Sequence, residues 1–441
     1  MPATTSTALR KVALIAALMA FVAVAAAPVV AAPGDPGWTS KYPNGVFYAT
    51  TMAPDGSAVF AVGSGGGILT AAYDAATGDE LWSDVLGDGT YDIATAVAVD
   101  PDGSVVFTTG YRWLSGNLQA DWATVAYDAV TGDRLWVKRY DGPVQRTSYD
   151  EATAVAVAGD GDSIVVVGSR TNDDDSTDAV MISYDAATGA KRWIRVGRGG
   201  TSSDVTIRSG TVFVVGTDRG RGLSLRISVT ALSVATGSER WSSRWGGPDG
   251  RAQGRRAVLA PDGRRIYVTG QTLGSPSTYA TLAYRTLDGR RVWARRFADG
   301  ASASGIAISP AGDRVFVTGQ SQEFIGSETD YATVAYATVD GERLWDRRYD
   351  LDGVSDIANA IATDTSGTVF VTGFASLAEG GSDIATIAYD PADGTPAWTE
   401  VSTDGAAGNA IAVSDTHLFI VGTAAYMGTD AGAAAVLEYE T

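Results

Sequence analysis

A ten-residue segment recurs along the chain and constrains its architecture more than any other feature. Residues 73–82 read YDAATGDELW, residues 127–136 read YDAVTGDRLW and residues 184–193 read YDAATGAKRW. Seven copies, at intervals of 48 to 57 residues, end in tryptophan: Trp82, Trp136, Trp193, Trp241, Trp293, Trp345 and Trp398. Self-similarity at this period predicts one supersecondary unit stacked repeatedly, and not several unrelated domains.

Each repeat is predicted to contain four short strands, which we call A to D. In residues 92–141, IATAVAVD is strand A, SVVFTTG is strand B, DWATVAYDA is strand C and RLWVKRYD is strand D. Polar and apolar residues alternate with a period of two, and tight turns such as PDG separate the segments. Helical periodicity is confined to the first 32 residues.

Four-stranded sheets of about 50 residues that repeat along a chain are typical of β-propeller blades. Strand A is rich in alanine, which suits the crowded axis, whereas the tryptophan that opens strand D is broad enough to cover the next sheet. A linear array of separate sheets is the alternative, but no linkers divide the repeats, and one such sheet is marginally stable alone.

The number of blades follows from a mismatch between two repeated elements. Eight A–B–C sets occur but only seven of the tryptophan segments, and the last set, residues 406–440, ends at strand C. The segment GWTSKYPNG, residues 37–45, contains Trp38 and resembles a strand D. We therefore predict an all-β, eight-bladed β-propeller of four-stranded antiparallel blades in residues 33–441, in which the N-terminal strand completes the C-terminal blade.

The first 32 residues are predicted to be a secretory signal peptide. Arg10 and Lys11 precede 16 apolar residues, and small residues follow up to Ala32. A retained anchor is disfavoured because a membrane span needs about 20 apolar residues. The expected location is secreted or extracellular, with no membrane span after cleavage.

Composition excludes several classes of function. The formal net charge is −18, which disfavours nucleic acid as a partner. The chain has no cysteine and one histidine, His417, so thiol catalysis and multi-histidine zinc sites are excluded. No G-x-S-x-G segment is present. We expect a monomer that binds a protein, peptide or carbohydrate ligand.

The pattern Y-D-x-x-T-G-x-x-x-W resembles the tryptophan docking motif of the PQQ-like (quinoprotein alcohol dehydrogenase-like) β-propeller repeat family. Segments such as DIATAVAVDPDGSVVFTTG are also similar to the WD40- and YVTN-like short repeats of secreted bacterial proteins. The resemblance covers essentially all of residues 33–441. It implies the eight-bladed fold, but the matching residues are structural, and the same propeller serves non-enzymatic binding proteins as well as dehydrogenases.

The resemblance also raises two cofactors. Quinoprotein dehydrogenases hold pyrroloquinoline quinone (PQQ) on the propeller axis with a Ca²⁺ ion, often against a disulfide that this chain cannot form. The blades here also lack large insertions. We therefore predict a binding or scaffold protein without identifiable catalytic residues. The alternatives are a PQQ- and Ca²⁺-dependent oxidoreductase and, less favoured, a carbohydrate-active enzyme that uses paired carboxylates.

The D–A and B–C loops are longer than the turns at the opposite end of each blade, and loops on a rigid scaffold commonly carry binding sites. Asp92, Asp150 and Asp204 are placed at the start of strand A beside these loops. They either cap the loops through backbone N–H groups or attract a cationic ligand. Tyr111 and Trp113 are further candidates, because aromatic side chains can stack on a sugar or a peptide.

One segment is a candidate for a Ca²⁺ site. DLDGVSD, residues 350–356, presents Asp350, Asp352 and Asp356 as oxygen ligands. The segment lacks the complete EF-hand pattern, so Ca²⁺ binding there is a local hypothesis.

Overall fold

The computed structural model describes residues 33–87, 91–114, 119–144, 148–220, 224–322, 328–351, 354–403, 406–424 and 433–441. The predicted signal peptide, residues 1–32, lies outside this set. Within it, no helix has the length and apolar character needed to cross a membrane.

The described residues form strands arranged in eight antiparallel sheets. Blade 1 contains β2 (Val46–Met52), β3 (Ala58–Ser64), β4 (Ile68–Asp74) and β5 (Glu80–Leu86). Blade 2 contains β6 (Ile93–Val99), β7 (Val105–Leu114), β8 (Gln119–Asp128), β9 (Arg134–Tyr140) and β10 (Ser148–Tyr149). Blade 3 contains β11 (Glu151–Val157), β12 (Ser163–Thr171), β13 (Thr177–Asp185) and β14 (Lys191–Val196). Blade 4 contains β15 (Gly200–Arg208), β16 (Thr211–Arg219), β17 (Leu225–Ser233) and β18 (Glu239–Trp245).

The second half of the chain repeats the same order. Blade 5 contains β19 (Ala252–Leu259), β20 (Arg265–Thr272), β21 (Thr278–Arg285) and β22 (Arg291–Phe297). Blade 6 contains β23 (Gly300–Ile308), β24 (Arg314–Gln322), β25 (Thr329–Ala337) and β26 (Arg343–Tyr349). Blade 7 contains β27 (Asp356–Thr363), β28 (Val369–Ser376), β29 (Ser382–Tyr389) and β30 (Pro396–Ser402). Blade 8 contains β31 (Ala407–Val413), β32 (His417–Thr423), β33 (Ala434–Glu440) and, from the other end of the chain, β1 (Pro36–Tyr42).

The N-terminal strand closes the propeller. β1 pairs antiparallel with β33, with Thr39 opposite Leu437 and Tyr42 opposite Ala434. This pairing confirms the predicted eight blades and the predicted completion of the last blade. It also covers the edge of β33, which would otherwise present unpaired backbone groups.

The hydrophobic core lies between neighbouring blades. Phe107 and Trp136 of blade 2, for example, share one buried cluster with Ile164 and Ile182 of blade 3. The A strands form the innermost layer, and each contacts the A strands on both sides, including the pair β31 and β2 at the closure. Small alanine side chains allow this close approach around the axis.

The repeated tryptophans lie at the blade interfaces. Trp136 packs between Phe107 of its own blade and Tyr184 of the next, with ring centroids 5.9 and 6.2 Å away. Its Nε1 donates a 2.8 Å hydrogen bond to the carbonyl of Ala186 in the C–D turn of that next blade. The indoles of Trp38, Trp82, Trp193, Trp241, Trp293 and Trp345 make the corresponding hydrogen bond, and Trp398 packs between Phe370 and Tyr439.

Glycine in the C–D turn is required by both conformation and space. Gly132 has a φ of 75°, in the left-handed region that favours glycine. A Cβ atom at this position would lie 2.6 Å from Cδ2 of Trp82, the docking tryptophan of the preceding blade. The ten-residue segment therefore repeats because its glycine receives one tryptophan while its own tryptophan docks on the next glycine.

Blade 2 departs from the four-stranded pattern. Ser148 and Tyr149 of β10 pair in parallel with Gln119 and Ala120 at the start of β8. The D–A loop between blades 2 and 3 is thereby attached to the sheet on the face that the D–A and B–C loops form. We call this face the ligand face.

Candidate functional site

Every A strand contains one extra residue at the same position. The pairing between strands A and B shifts by one residue in all eight blades, as in a β-bulge. We call these eight residues the bulge belt: Tyr48, Thr95, Thr153, Ser203, Arg255, Ser304, Asn359 and Asn409.

Six members of the bulge belt connect neighbouring blades through short polar side chains. Thr95 Oγ1 donates to the Ala152 carbonyl at 2.7 Å, and Asn409 Nδ2 donates to the Phe47 carbonyl at 2.8 Å. Thr153, Ser203, Ser304 and Asn359 make the corresponding hydrogen bonds at 2.5 to 3.0 Å. Each bond contributes about 0.5–1.5 kcal/mol. The belt is therefore structural wherever the side chain is short.

A cavity of about 680 Å³ opens along the axis, and seven of the eight belt residues line it. Tyr111, Thr201, Gln253 and Arg256 also contribute to its wall. We call it the axial cavity. Because Tyr111 follows strand B on the side of the B–C loop, the cavity lies towards the ligand face.

Tyr48 and Arg255 interrupt the belt. Neither side chain makes the inter-blade hydrogen bond of the other six positions within the described residues. Both line the axial cavity, and Tyr48 is 40% exposed. Two positions of an otherwise structural belt thus hold large side chains that are available to a ligand.

Arg255 is a cation without a counterion. Within the described residues its guanidinium has neither a hydrogen-bond partner nor an ion-pair partner. Desolvation by the cavity walls lowers the pKa of Arg255, and the positive charge of Arg256 lowers it further. Arginine nevertheless stays charged in proteins, and because the Arg255 side chain is exposed, its five N–H donors are accessible at the cavity wall.

An aromatic cluster lies on the same face. Trp113 contacts Tyr149 edge-on at 5.3 Å and Tyr91 at 6.3 Å between ring centroids. Tyr91 is 70% exposed and Tyr149 is 48% exposed. Trp113 also lies two residues after Tyr111 on β7, so both side chains are on the same side of that strand. The cluster thus extends outward from the axial cavity.

The structure places Asp92 and Asp150 inside the loops and not at the cavity surface. Both side chains are fully buried. Asp92 accepts hydrogen bonds from the Trp113 N–H at 2.7 Å and from Arg112 Nε at 2.9 Å. Asp150 accepts the N–H groups of Gly142 and Thr171 at 2.6 and 2.8 Å. Each carboxylate thus connects the end of a D–A loop to the B–C side of its blade. Of the two predicted roles, this geometry corresponds to loop capping and not to a cation site.

Asp204 occupies a different position from Asp92 and Asp150. It follows the bulge residue Ser203, whereas Asp92 and Asp150 precede their bulges by three residues. Its carboxylate accepts the Ala257 N–H of the next blade at 2.7 Å and its neighbour Val205 N–H at 2.9 Å. Burial raises the pKa of Asp204, although Arg256 partly offsets this effect.

The Ca²⁺ candidate is partly engaged by the backbone. Both carboxylate oxygens of Asp356 accept backbone hydrogen bonds, from Leu351 N–H at 2.6 Å and Ser376 N–H at 2.9 Å. Burial raises the pKa of Asp356 to about 6, and Asp350 adds to the increase. Asp352 lies outside the described residues. Ca²⁺ binding by this segment stays a prediction.

A separate titratable cluster lies at the opposite end of blade 8. His417 Nδ1 is 2.7 Å from Glu438 Oε1, and Glu440 brings a third ligand atom within 4.8 Å. Glu438 replaces the alanine or serine that pairs with the docking tryptophan in the other blades. The cluster is therefore part of the closure and is remote from the ligand face.

Of the residues that line the axial cavity, only Tyr111 is among the sequence-based candidates. Tyr48, Arg255 and the adjacent Glu151 are the large or charged side chains that the sequence analysis missed. When the eight A strands are aligned, the bulge residue is a serine, threonine or asparagine in six of them. It is Tyr48 or Arg255 in the other two. That exception is the signal that the sequence offers. Its significance depends on the bulge, which turns the position toward the axis.

Comparisons with known proteins agree with this architecture. The family profile of the outer membrane protein assembly factor BamB matches residues 13–155, 122–275 and 280–441. The chain belongs to the BamB family. The predicted PQQ-like repeat is thereby confirmed. No curated protein sequence matches this BamB-family chain significantly.

Solved structures share the fold of this BamB-family protein at low sequence identity. BamB from Moraxella catarrhalis has a TM-score of 0.57 at 17% identity, covering 92% of this chain and 100% of the other. Quinohemoprotein alcohol dehydrogenase from Comamonas testosteroni has a TM-score of 0.62 at 14% identity, covering 92% and 76%. The C-terminal WD40 domain of Sif2 has a TM-score of 0.60 at 11% identity, covering 92% and 99%. Because one is an assembly factor and another a dehydrogenase, these similarities establish the fold alone.

The axial cavity does not provide the ligands expected for PQQ with Ca²⁺. Ca²⁺ takes six to eight oxygen ligands, usually with several carboxylates. The cavity wall contains no aspartate or glutamate among the described residues, so only neutral oxygen ligands are available there. No catalytic step through PQQ follows from these residues.

Proposed function

We propose that this BamB-family propeller is a binding protein that holds an anionic group of its ligand in the axial cavity. Arg255 carries the proposal. Its exposed guanidinium has no partner among the described residues, and a carboxylate or phosphate would form charge-assisted and often bidentate hydrogen bonds with it. The cavity volume of about 680 Å³ is within the range of small-molecule sites, which is roughly 300–1,000 Å³.

The aromatic cluster supports a larger contact surface around the cavity. Tyr91, Trp113 and Tyr149 present exposed ring surface on the ligand face. Partly exposed aromatic residues are enriched at binding hot spots because they bury much area at low entropic cost. We infer that a peptide, protein or carbohydrate ligand that enters the cavity also contacts this cluster.

The proposed location is outside the cytoplasm. The apolar segment after Arg10 and Lys11 supports a signal peptide that is removed near Ala32. Expression of the full chain in a secreting host, followed by N-terminal sequencing, tests this. A product that keeps its first residues would contradict it.

The test of binding compares Arg255→Gln with Arg290→Gln, an exposed arginine in a C–D turn on the opposite face. Both variants remove one positive charge. Citrate and inorganic phosphate are the probes, and the melting temperature of the mature chain is measured at constant ionic strength. We expect the anions to stabilise the wild type and Arg290→Gln, but not Arg255→Gln. Stabilisation follows RT ln(1 + [L]/Kd), about 2.7 kcal/mol at a hundredfold excess over Kd.

A second readout requires no ligand. If Arg255 serves binding and not folding, its replacement removes no interaction of the folded chain, so the ligand-free Arg255→Gln variant should melt close to the wild-type temperature. A clear destabilisation, or equal anion effects in both variants, would contradict the proposal. An absorbance spectrum after incubation with PQQ and Ca²⁺, with a dye-linked dehydrogenase assay, tests the alternative of an oxidoreductase.

A further inference from the structure

Glu151 is a second charged side chain, beside the axial cavity, for which the described residues provide no partner. Glu151 lies two positions before Thr153, the bulge residue of its A strand. Ile93, Thr201 and Gln253 occupy the equivalent position in blades 2, 4 and 5. Those three residues line the axial cavity. Within the described residues the Glu151 carboxylate has no hydrogen-bond or ion-pair partner, in contrast to its fully hydrogen-bonded neighbour Asp150.

Two tyrosines accompany Glu151. Tyr48 and Tyr111 both line the cavity. Burial raises the pKa of Tyr111, and the Glu151 carboxylate and the Tyr48 phenol each raise it further, so Tyr111 lies near both groups. Burial also raises the pKa of Glu151. A carboxylate together with tyrosine side chains is a combination that binds ammonium and quaternary ammonium groups.

The two unpaired charges come from different sectors of the propeller. Arg255 belongs to blade 5, whereas Glu151 belongs to blade 3 and the tyrosines to blades 1 and 2. The charged residues of the whole chain are also unevenly distributed, with a net positive charge in the blades around Arg255 and a net negative charge in the others. Residues 200–349, blades 4 to 6, carry 20 arginines and 14 acidic residues, whereas the rest of 33–441 carries 11 basic and 37 acidic residues. The resulting field across the axis favours one orientation of a dipolar ligand.

We propose that the axial cavity selects a zwitterionic ligand, with its carboxylate or phosphate group at Arg255 and its ammonium group at Glu151, Tyr48 and Tyr111. The inference rests on the proposed function for the anionic half and adds the cationic half. Amino acids, short peptides and betaines share this chemistry. Each charged group of the ligand would form an ion pair with a protein side chain that lacks a partner. A ligand with only one charged group would leave either Arg255 or Glu151 without a counterion.

The test uses ω-amino acids, from glycine to 8-aminooctanoate, because they vary the separation of the two charges with little other change. Alkanoates and alkylamines of equal length are the monofunctional controls. Affinities for the mature chain are measured by isothermal titration calorimetry. We expect one chain length to bind at least tenfold more tightly than either monofunctional control of the same length.

Variants then assign the two ends. Glu151→Gln should reduce the affinity for the best ω-amino acid to that for the alkanoate, and Arg255→Gln should reduce it to that for the alkylamine. Glu379→Gln, an exposed acid in the B–C loop of blade 7, removes the same charge on the same face and should have no effect. Melting temperatures of the ligand-free variants show that each one folds.

The outcomes separate this inference from the proposed function. If alkanoates bind as tightly as ω-amino acids and Glu151→Gln changes nothing, the zwitterion is refuted while anion binding at Arg255 stands. If amines bind but Arg255→Gln has no effect on any ligand, the anionic half is refuted. If no probe of any length binds, both proposals fail.

Discussion

Replacement of Trp136 by alanine tests whether the repeated tryptophans hold neighbouring blades together. The side chain is 8% exposed, contacts Phe107 and Tyr184, and donates a hydrogen bond to Ala186 in the next blade. Truncation of a buried tryptophan costs about 3–5 kcal/mol through lost burial and the cavity that remains. We therefore expect Trp136→Ala to lower the free energy of unfolding by that amount.

Two matched variants divide this cost. Trp136→Phe keeps an aromatic ring but leaves the Ala186 carbonyl without its donor, so it should lose the hydrogen bond, about 1 kcal/mol, in addition to a smaller packing loss. Trp113→Ala removes a partly exposed indole from the aromatic cluster of the ligand face, and should cost much less than Trp136→Ala.

Guanidinium unfolding followed by far-ultraviolet circular dichroism provides the measurement, with the m-value as the check that the blades unfold as one unit. The expected order of the unfolding midpoints is wild type, then Trp113→Ala and Trp136→Phe, with Trp136→Ala lowest. Equal midpoints for Trp113→Ala and Trp136→Ala would refute the argument that the interface tryptophans, and not aromatic residues in general, stabilise the propeller.

Three further perturbations test other parts of the structure. Gly132→Ala should lower stability more than Gly56→Ala in the same unfolding assay. Both glycines have a φ of 75°, but a Cβ at Gly132 would clash with an indole, whereas a Cβ at Gly56 would have no heavy atom within 4 Å. Equal losses would mean that the clash contributes nothing and that both variants lose only the cost of the left-handed backbone, roughly 1–2 kcal/mol. Deletion of residues 33–42 should expose the edge of β33 and produce aggregates in size-exclusion chromatography, and a synthetic peptide of residues 33–45 should restore the monomer; a soluble monomer without the peptide would show that closure is dispensable. Burial, together with the negative charges of Asp141 and Asp150, raises the pKa of Asp121 to about 6, and one of its oxygens is buried without a partner in the described residues. The folded state thus binds this proton more tightly than the unfolded state, whose aspartates titrate near 3.9, so the contribution of Asp121 to stability falls as pH rises from about 4 to 6. Asp121→Asn should then raise the melting temperature at pH 7.5 and change it little at pH 4, and a lower melting temperature at pH 7.5 would contradict this sign.

The sequence was sufficient for the fold because the fold is built from a local repeat. The turn glycine, the docking tryptophan and the period-two strands occur together in every copy, so a contact that links two blades is visible as a ten-residue pattern. The missing strand D of the last repeat and the extra Trp38 even predicted the closure. These contacts can be predicted from the sequence because each blade packs against the blades next to it in the chain.

The candidate site was less accessible from the sequence. The sequence predicts Asp92 and Asp150 beside the loops of the ligand face and Asp356 in a Ca²⁺ segment, but the pattern of acidic residues does not reveal their partners. These carboxylates accept hydrogen bonds from backbone N–H groups and, at Asp92, from Arg112 Nε. Asp204 was grouped with them although it follows the bulge and reaches the next blade. Side-chain partners of this kind depend on loop conformations that a repeat pattern does not encode.

By itself, the sequence determined the strand pattern, the number of blades and the way in which the chain ends meet, since those depend on neighbours in the chain or in the repeat. Only the tertiary structure decided which side chains converge on the axis. Tyr48, Glu151 and Arg255 come from blades 1, 3 and 5, about 100 residues apart in sequence. Tyr48 and Arg255 line the cavity at the one-residue bulges of their A strands, and Glu151 lies beside it. Because closure of the propeller brings distant blades around one axis, the charges that meet there have no common signature in the chain.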